Sequence, residues 1–87
     1  MKTQDKIEEL TAFLYELDPE QTCCKENESL DEYIAEAREL VNFPIDENLE
    51  ETISEYFHYM FYGYLSKDTL IAISEKLIGL NKKYGKI

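Results

Sequence analysis

The chain has few residues of the kinds that break regular structure, since its 87 residues include only three glycines and two prolines. A protein of many short strands needs more of these residues for its turns, and three glycines are too few for a phosphate-binding loop. The hydrophobic share of 44% is also too high for a disordered chain. These limits leave one ordered helical domain, spanning residues 1–87.

Potential metal ligands and catalytic nucleophiles are also scarce. Cys23 and Cys24 are adjacent, so a disulfide between them would close almost no loop, and they lack the spacing with which two thiolates chelate zinc. His58 is the only histidine. No serine lies in a nucleophile motif. We therefore expect reduced thiols, no metal, no cofactor and no enzymatic activity.

Long apolar runs are missing as well. No stretch approaches the roughly 20 apolar residues of a membrane span. The opening residues MKTQDKIEEL are charged and lack the apolar region of a signal peptide. The sequence therefore predicts a protein of the cytoplasm that does not enter membranes.

Acidic residues, by contrast, are abundant and unevenly placed. Nineteen acidic and nine basic residues give a net charge of −10. Residues 1–55 carry 17 acidic and four basic residues, a net charge of −13, whereas residues 56–87 carry two acidic residues and five lysines, a net charge of +3. Such a surface repels nucleic acid and anionic lipid and favours a basic protein partner.

Apolar spacing and capping residues predict four helices. The first runs from a cap at Asp5 to Asp18-Pro19, and a loop over 18–28 follows. The second begins at Ser29, with Glu32 completing a capping box, and ends at Asn42-Phe43-Pro44. The third is capped by Asp46 or Asn48 and ends at Gly63. The fourth begins at Ser66 or Asp68 and has Lys82 and Lys83 at its C-terminal end. The expected fold is all-α, a compact antiparallel bundle of about four helices.

Three short motifs add a resemblance. They are Leu17-Asp18-Pro19 after the first helix, Asp31-Glu32-Tyr33 with Glu36-Ala37 opening the second, and Glu55-Tyr56-Phe57 in a later helix. Together they resemble a family of small, uncharacterised, all-helical bacterial domains. This chain has Thr22-Cys23-Cys24-Lys25 where that family tends to have a loop containing glycine. Because the family has no established activity, the resemblance implies a fold and no function.

The acidic residues follow the helical repeat in two rows. One comprises Glu28, Glu32, Glu36 and Glu39, and the other comprises Glu47, Glu51 and Glu55. A catalytic carboxylate pair needs a concave site that separates the two pKa values, whereas rows at this spacing lie on solvated helix faces. We therefore interpret both rows as surface charge.

The segment from Tyr56 to Leu65 holds six of the 11 aromatic residues. It is either a helix buried on all sides or one that exposes aromatic rings. Phe57 and Met60 continue the apolar stripe of the third helix, as Ile78 does on the fourth. Tyr59 and Tyr62 lie nearer the acidic edge, and several buried phenols are difficult to satisfy with hydrogen bonds in a small core.

Tyrosine beside carboxylates is typical of a surface that binds a basic protein. The leading hypothesis is a stoichiometric inhibitor, an immunity protein that neutralises a bacterial nuclease toxin as a monomer or in a 1:1 heterodimer. Its size, acidity and helical build are similar to those of colicin and contact-dependent inhibition immunity proteins, a likeness of physical type. The alternatives are a phage-encoded nucleic-acid mimic and a helical domain whose acidity only maintains solubility. The predicted partner-binding residues are Glu32, Glu36, Glu39, Glu47, Glu51, Glu55, His58, Tyr59 and Tyr62.

Overall fold

The computed structural model describes residues 2–19, 33–61 and 63–85. Within those ranges the chain forms four α-helices and no strand. They are α1 (Lys2–Leu17), α2 (Ile34–Leu40), α3 (Leu49–Phe61) and α4 (Lys67–Tyr84). Helix α1 packs against α2 and α4, and α3 packs against α4. The expected all-α bundle of about four helices is confirmed.

The core is formed by the apolar stripes that the sequence pattern predicts. Each helix contributes side chains that are almost completely buried, including Leu10 and Leu14 of α1, Ala37 and Leu40 of α2, Ile53 and Phe57 of α3, and Ile73 and Leu77 of α4. Two predicted core residues are instead exposed. Met60, in the last turn of α3, is 42% exposed, and Ile78 of α4 is 36% exposed. Both lie where their helix face is no longer covered by a neighbour.

The end of α1 is fixed by Asp18, as the Asp-Pro pair predicts. Asp18 has a φ of 45°, and its N–H donates to the carbonyl oxygen of Leu14 at 2.7 Å. The carboxylate of Asp18 also accepts a hydrogen bond of 2.8 Å from the buried hydroxyl of Tyr33, just before α2. The capping expected at Asp5 is wrong, because α1 begins at Lys2 and Asp5 lies in its first turn.

The later helix ends follow the predicted capping chemistry before α3 and α4, but not at the start of α2 or at Gly63. Helix α2 ends at Leu40, and the Asp46 carboxylate accepts from the Asn48 N–H at 2.9 Å just before α3. The Ser66 hydroxyl caps α4 by accepting from the Thr69 N–H at 3.2 Å. Gly63 is not the expected left-handed terminator, because Gly85 is the one glycine with positive φ in the described residues. The predicted start of the second helix at Ser29 is wrong, because α2 begins at Ile34 and its N-cap, Tyr33, makes no side-chain capping hydrogen bond. Ser29 itself and the two cysteines lie outside the described residues.

Helices α1 and α4 are also joined by polar contacts. The Glu9 carboxylate accepts hydrogen bonds of 2.5 Å from both the Lys83 ammonium and the Tyr84 hydroxyl. These two bonds, the one from Lys83 first, lower the pKa of Glu9. One turn earlier, the side chain of Lys6 is buried and donates to the Gly85 carbonyl at 3.0 Å. Burial lowers the pKa of that ammonium.

Candidate functional site

An open groove runs along the start of α3 and the start of α4. It has a volume of about 640 Å³. The groove is lined by Glu47, Glu50, Glu51, Ser54 and Glu55 from α3 and the turn before it, and by Tyr64, Lys67 and Leu70 from the α4 side. This groove is the candidate functional site because four of its eight lining residues are glutamates, whereas a cavity of about 320 Å³ beside Phe43 and Asn81 has one acidic residue in its lining.

The helical repeat explains why the carboxylates share one side of α3. Glu47, Glu51 and Glu55 recur every fourth residue and all three are exposed. Ile53 and Phe57 lie on the opposite face and are fully buried. The apolar stripe therefore fixes the orientation of the helix, and the acidic row points to solvent as a consequence.

Most of the groove's negative charge is not neutralised within the described residues. The Lys67 ammonium forms an ion pair of 2.5 Å with Glu50. No lysine, arginine or histidine of the described ranges lies within ion-pair distance of Glu47, Glu51 or Glu55. Three carboxylates without a cationic partner repel one another, which costs free energy. They also attract a cationic group, and its binding would relieve this repulsion.

One aromatic residue, Tyr64, lines this acidic groove, and two others lie on the last turns of α3. The ring of Tyr64 stacks on that of His58, with the centroids 4.1 Å apart and the planes 4° from parallel. Tyr64 is nevertheless 75% exposed, and Tyr59 on α3 is 80% exposed. Nδ1 of the half-buried His58 is shielded from solvent and has no hydrogen-bond partner among the described residues. The ring stack holds Tyr64 beside the groove.

The structure brings together most of the residues predicted on the third helix. Glu51, Glu55 and Tyr59 are exposed on α3, Glu47 is exposed in the turn before it, and His58 is half-buried. Glu39 is exposed on α2 but does not line the groove. Glu32 and Tyr62 lie outside the described residues. Tyr64 was not among the predicted residues, because it follows α3 in an irregular segment where helical spacing carries no information.

The expected exposure of Glu36 is wrong. Glu36 is only 7% exposed, and its charge on α2 acts on Tyr56 of α3. Burial, with smaller contributions from Glu36 and Glu39, raises the pKa of Tyr56 to about 12. The acidic row of α2 is therefore not a continuous solvated stripe, and Glu36 is removed from the candidate binding surface.

Other kinds of site find no support in the part of the chain that the structure describes. No group of three or more histidine, cysteine, aspartate or glutamate side chains there is arranged to hold a metal ion. The helices of these ranges are too short or too polar to cross a bilayer. Comparisons with protein families, curated proteins and solved structures find no match to this chain. The candidate site therefore depends on its own geometry alone.

Proposed function

We propose that this chain is a stoichiometric protein inhibitor whose groove along α3 docks on a basic protein domain. The observation that carries the proposal is the set of three unneutralised carboxylates, Glu47, Glu51 and Glu55, with the exposed Tyr64 lining the same groove. The exposed Tyr59 lies one turn after Glu55 on α3. Carboxylates steer a basic partner to the surface, and tyrosines supply contact area at a small entropic cost.

The partner that fits best is the nuclease domain of a bacterial toxin, which makes the chain an immunity protein. A nuclease needs a basic cleft to hold phosphates, and a small acidic domain with a net charge of −10 associates quickly with such a cleft. The acidic and aromatic residues cluster on one helix and the segment after it, which is the form of a protein-binding patch with aromatic anchors.

A nucleic-acid mimic is the second candidate, and the position of Glu36 weighs against it. A mimic of a phosphate backbone needs carboxylates in long, exposed rows. The burial of Glu36 interrupts the acidic row of α2, which leaves the shorter row of α3 as the exposed one in the described residues. A short acidic patch with tyrosines at its edge suits a protein surface better.

Capture with matched variants tests the proposal. The purified chain is immobilised and exposed to extract of the producing cells, alongside a Glu51→Gln/Glu55→Gln variant and a Glu8→Gln/Glu75→Gln control. Glu8 and Glu75 are exposed on α1 and α4, so both double variants have the same net charge. We expect one basic protein to be captured by the wild-type chain and the control, and captured in a much smaller amount by the groove variant.

The captured protein is then assayed for nuclease activity. An immunity protein abolishes that activity when it is added in an equimolar amount. Capture of an acidic protein, equal loss by both double variants, or full nuclease activity in the 1:1 complex would contradict the proposed function.

A further inference from the structure

The ring of Tyr64 has one covered face and one open face. His58 stacks on the first at 4.1 Å, while the side chain as a whole remains 75% exposed at the edge of the groove. Two other aromatic rings already carry a lysine: the ammonium of Lys76 lies 5.6 Å from the ring centre of Phe13, and that of Lys83 lies 5.1 Å from that of Tyr84. Within the described residues no cation occupies the open face of Tyr64.

We infer that this groove binds an arginine side chain of the basic partner, with the guanidinium lying on the open face of Tyr64 and donating to the carboxylates of Glu51 and Glu55. This inference rests on the proposed function, because it names the chemical group that the groove recognises. A guanidinium is planar, so it can stack on a ring and donate hydrogen bonds in its own plane to carboxylates at the same time.

A lysine fits this arrangement less well. Its ammonium is compact and strongly hydrated, and it cannot stack. Lys67 illustrates the difference, because its ammonium reaches Glu50 in the same groove as a simple ion pair and does not lie over the Tyr64 ring. The inference therefore predicts a preference for arginine over lysine that depends on an aromatic ring at position 64.

The probes for the test are N-acetyl-arginine methylamide and N-acetyl-lysine methylamide, titrated into the isotope-labelled full chain and followed by amide chemical shifts. We expect the arginine probe to shift signals around Tyr64 and Glu55 and to bind about two- to fivefold more tightly than the lysine probe. Tyr64→Phe should keep that preference, because the ring remains. Tyr64→Ala should abolish it.

Ile78→Ala is the control, because Ile78 is an exposed apolar residue of α4 that neither lines the groove nor belongs to the proposed docking surface. It should leave the preference unchanged. Tyr64 and Ile78 are both exposed, so circular dichroism spectra should show that the alanine variants fold. Equal affinity for the two probes, or an arginine preference that survives in Tyr64→Ala, would overturn the inference. Neither result depends on the toxin, so the proposed function is judged separately by the capture experiment.

A second copy of this chain is the other possible source of the arginine. Arg38 is its single arginine, and its side chain is exposed on α2. Sedimentation of the full chain over a range of concentrations, alone and as Arg38→Lys, addresses this source. We expect a monomer in both cases. Self-association that is lost in Arg38→Lys would overturn the assignment of the groove to a partner's arginine.

Discussion

Phe57 and Met60 lie one turn apart on α3 but differ in burial. Phe57 is fully buried and packs with its ring centre 5.6 Å from that of Tyr56, whereas Met60 is 42% exposed. We expect Phe57→Ala to lower the free energy of unfolding by about 3–5 kcal/mol through lost burial and a cavity. Met60→Ala should lower it by less than about 1 kcal/mol. Urea unfolding measures both, and equal losses would contradict the placement of Met60 at the surface.

The ionisation of Tyr56 should change the stability of the fold in the alkaline pH range. Its pKa is about 12 in the folded state, against about 10 for an ordinary tyrosine, so the unfolded chain loses the proton first. The stabilisation is complete below about pH 10 and is lost as the pH rises towards about 12. Tyr56→Phe should make this alkaline fall in stability less steep.

Denaturant midpoints measured between neutral and alkaline pH provide that comparison. Tyr59→Phe, which removes the hydroxyl of an exposed tyrosine, is the control for the loss of one hydroxyl. An alkaline limb that is the same in wild type and Tyr56→Phe would show that Tyr56 ionises equally in both states.

The residues that the sequence predicts correctly are those whose neighbours lie within one helix. Glu51, Glu55 and Tyr59 are exposed because helical spacing places them opposite Ile53 and Phe57. Glu36 could not be predicted in this way, because its burial arises from tertiary packing around α2 and not from the residue spacing within that helix. The spacing of apolar residues within one helix does not predict tertiary contacts of this kind.

At the scale of the helices, two glycines are expected to have opposite effects on the stability of α4. Gly79 within the helix lowers the stability, and Gly85 at the C-cap raises it. Gly79 is exposed within the helix, and a Cβ there would meet no atom within 4 Å. Gly79→Ala should therefore raise the free energy of unfolding by about 0.5–1 kcal/mol. Gly85 ends the helix with a φ of +81° and ψ of 175°, which side chains strongly disfavour.

Gly85→Ala should consequently lower the free energy of unfolding by about 1–3 kcal/mol. It also disturbs the carbonyl that accepts from the buried Lys6 ammonium. Thermal melts of the two variants provide the comparison, since the same chemical change is expected to have opposite signs at the two positions. Destabilisation by both would mean that Gly79 contributes something beyond its helical backbone.

Helix ends were predictable where one side chain or one backbone constraint decides them, as at Asp18-Pro19 and Ser66. They were less predictable where several residues compete. An acidic residue is favourable at any position in the first turn of a helix, so Asp5 alone does not identify the N-cap. Helix α1 begins three residues before Asp5. Gly63 shows that a glycine after a helix need not adopt the left-handed conformation.

At the scale of the whole molecule, the ammonium of Lys67 partly offsets the negative charge of the glutamates that line the groove. The Lys67→Met variant removes the ion pair with Glu50 and makes the groove more negative. We expect it to accelerate association with a basic partner, because the attraction increases. Lys82→Met, at the other end of α4, changes the net charge by the same amount and is the control. Stopped-flow association rates should increase more for Lys67→Met, and an equal increase would assign the effect to net charge alone.

The separation of charge along the chain was evident from the sequence, whereas the groove was not. Counting residues shows that 1–55 is acidic and 56–87 slightly basic. It does not show that Tyr64 and Lys67, both from the basic part, lie opposite Glu50, Glu51 and Glu55 across one cavity. That arrangement arises from the packing of α3 against α4.

The salt dependence of association with the captured partner tests the central claim most directly. Doubling the salt concentration from a near-physiological value should slow association severalfold and change dissociation much less, because screening weakens the encounter rather than the contacts of the complex. The salt dependence should be weaker for Glu51→Gln/Glu55→Gln than for Glu8→Gln/Glu75→Gln. An association rate that does not change with salt, or an equal response of the two double variants, would contradict docking through the acidic groove of α3.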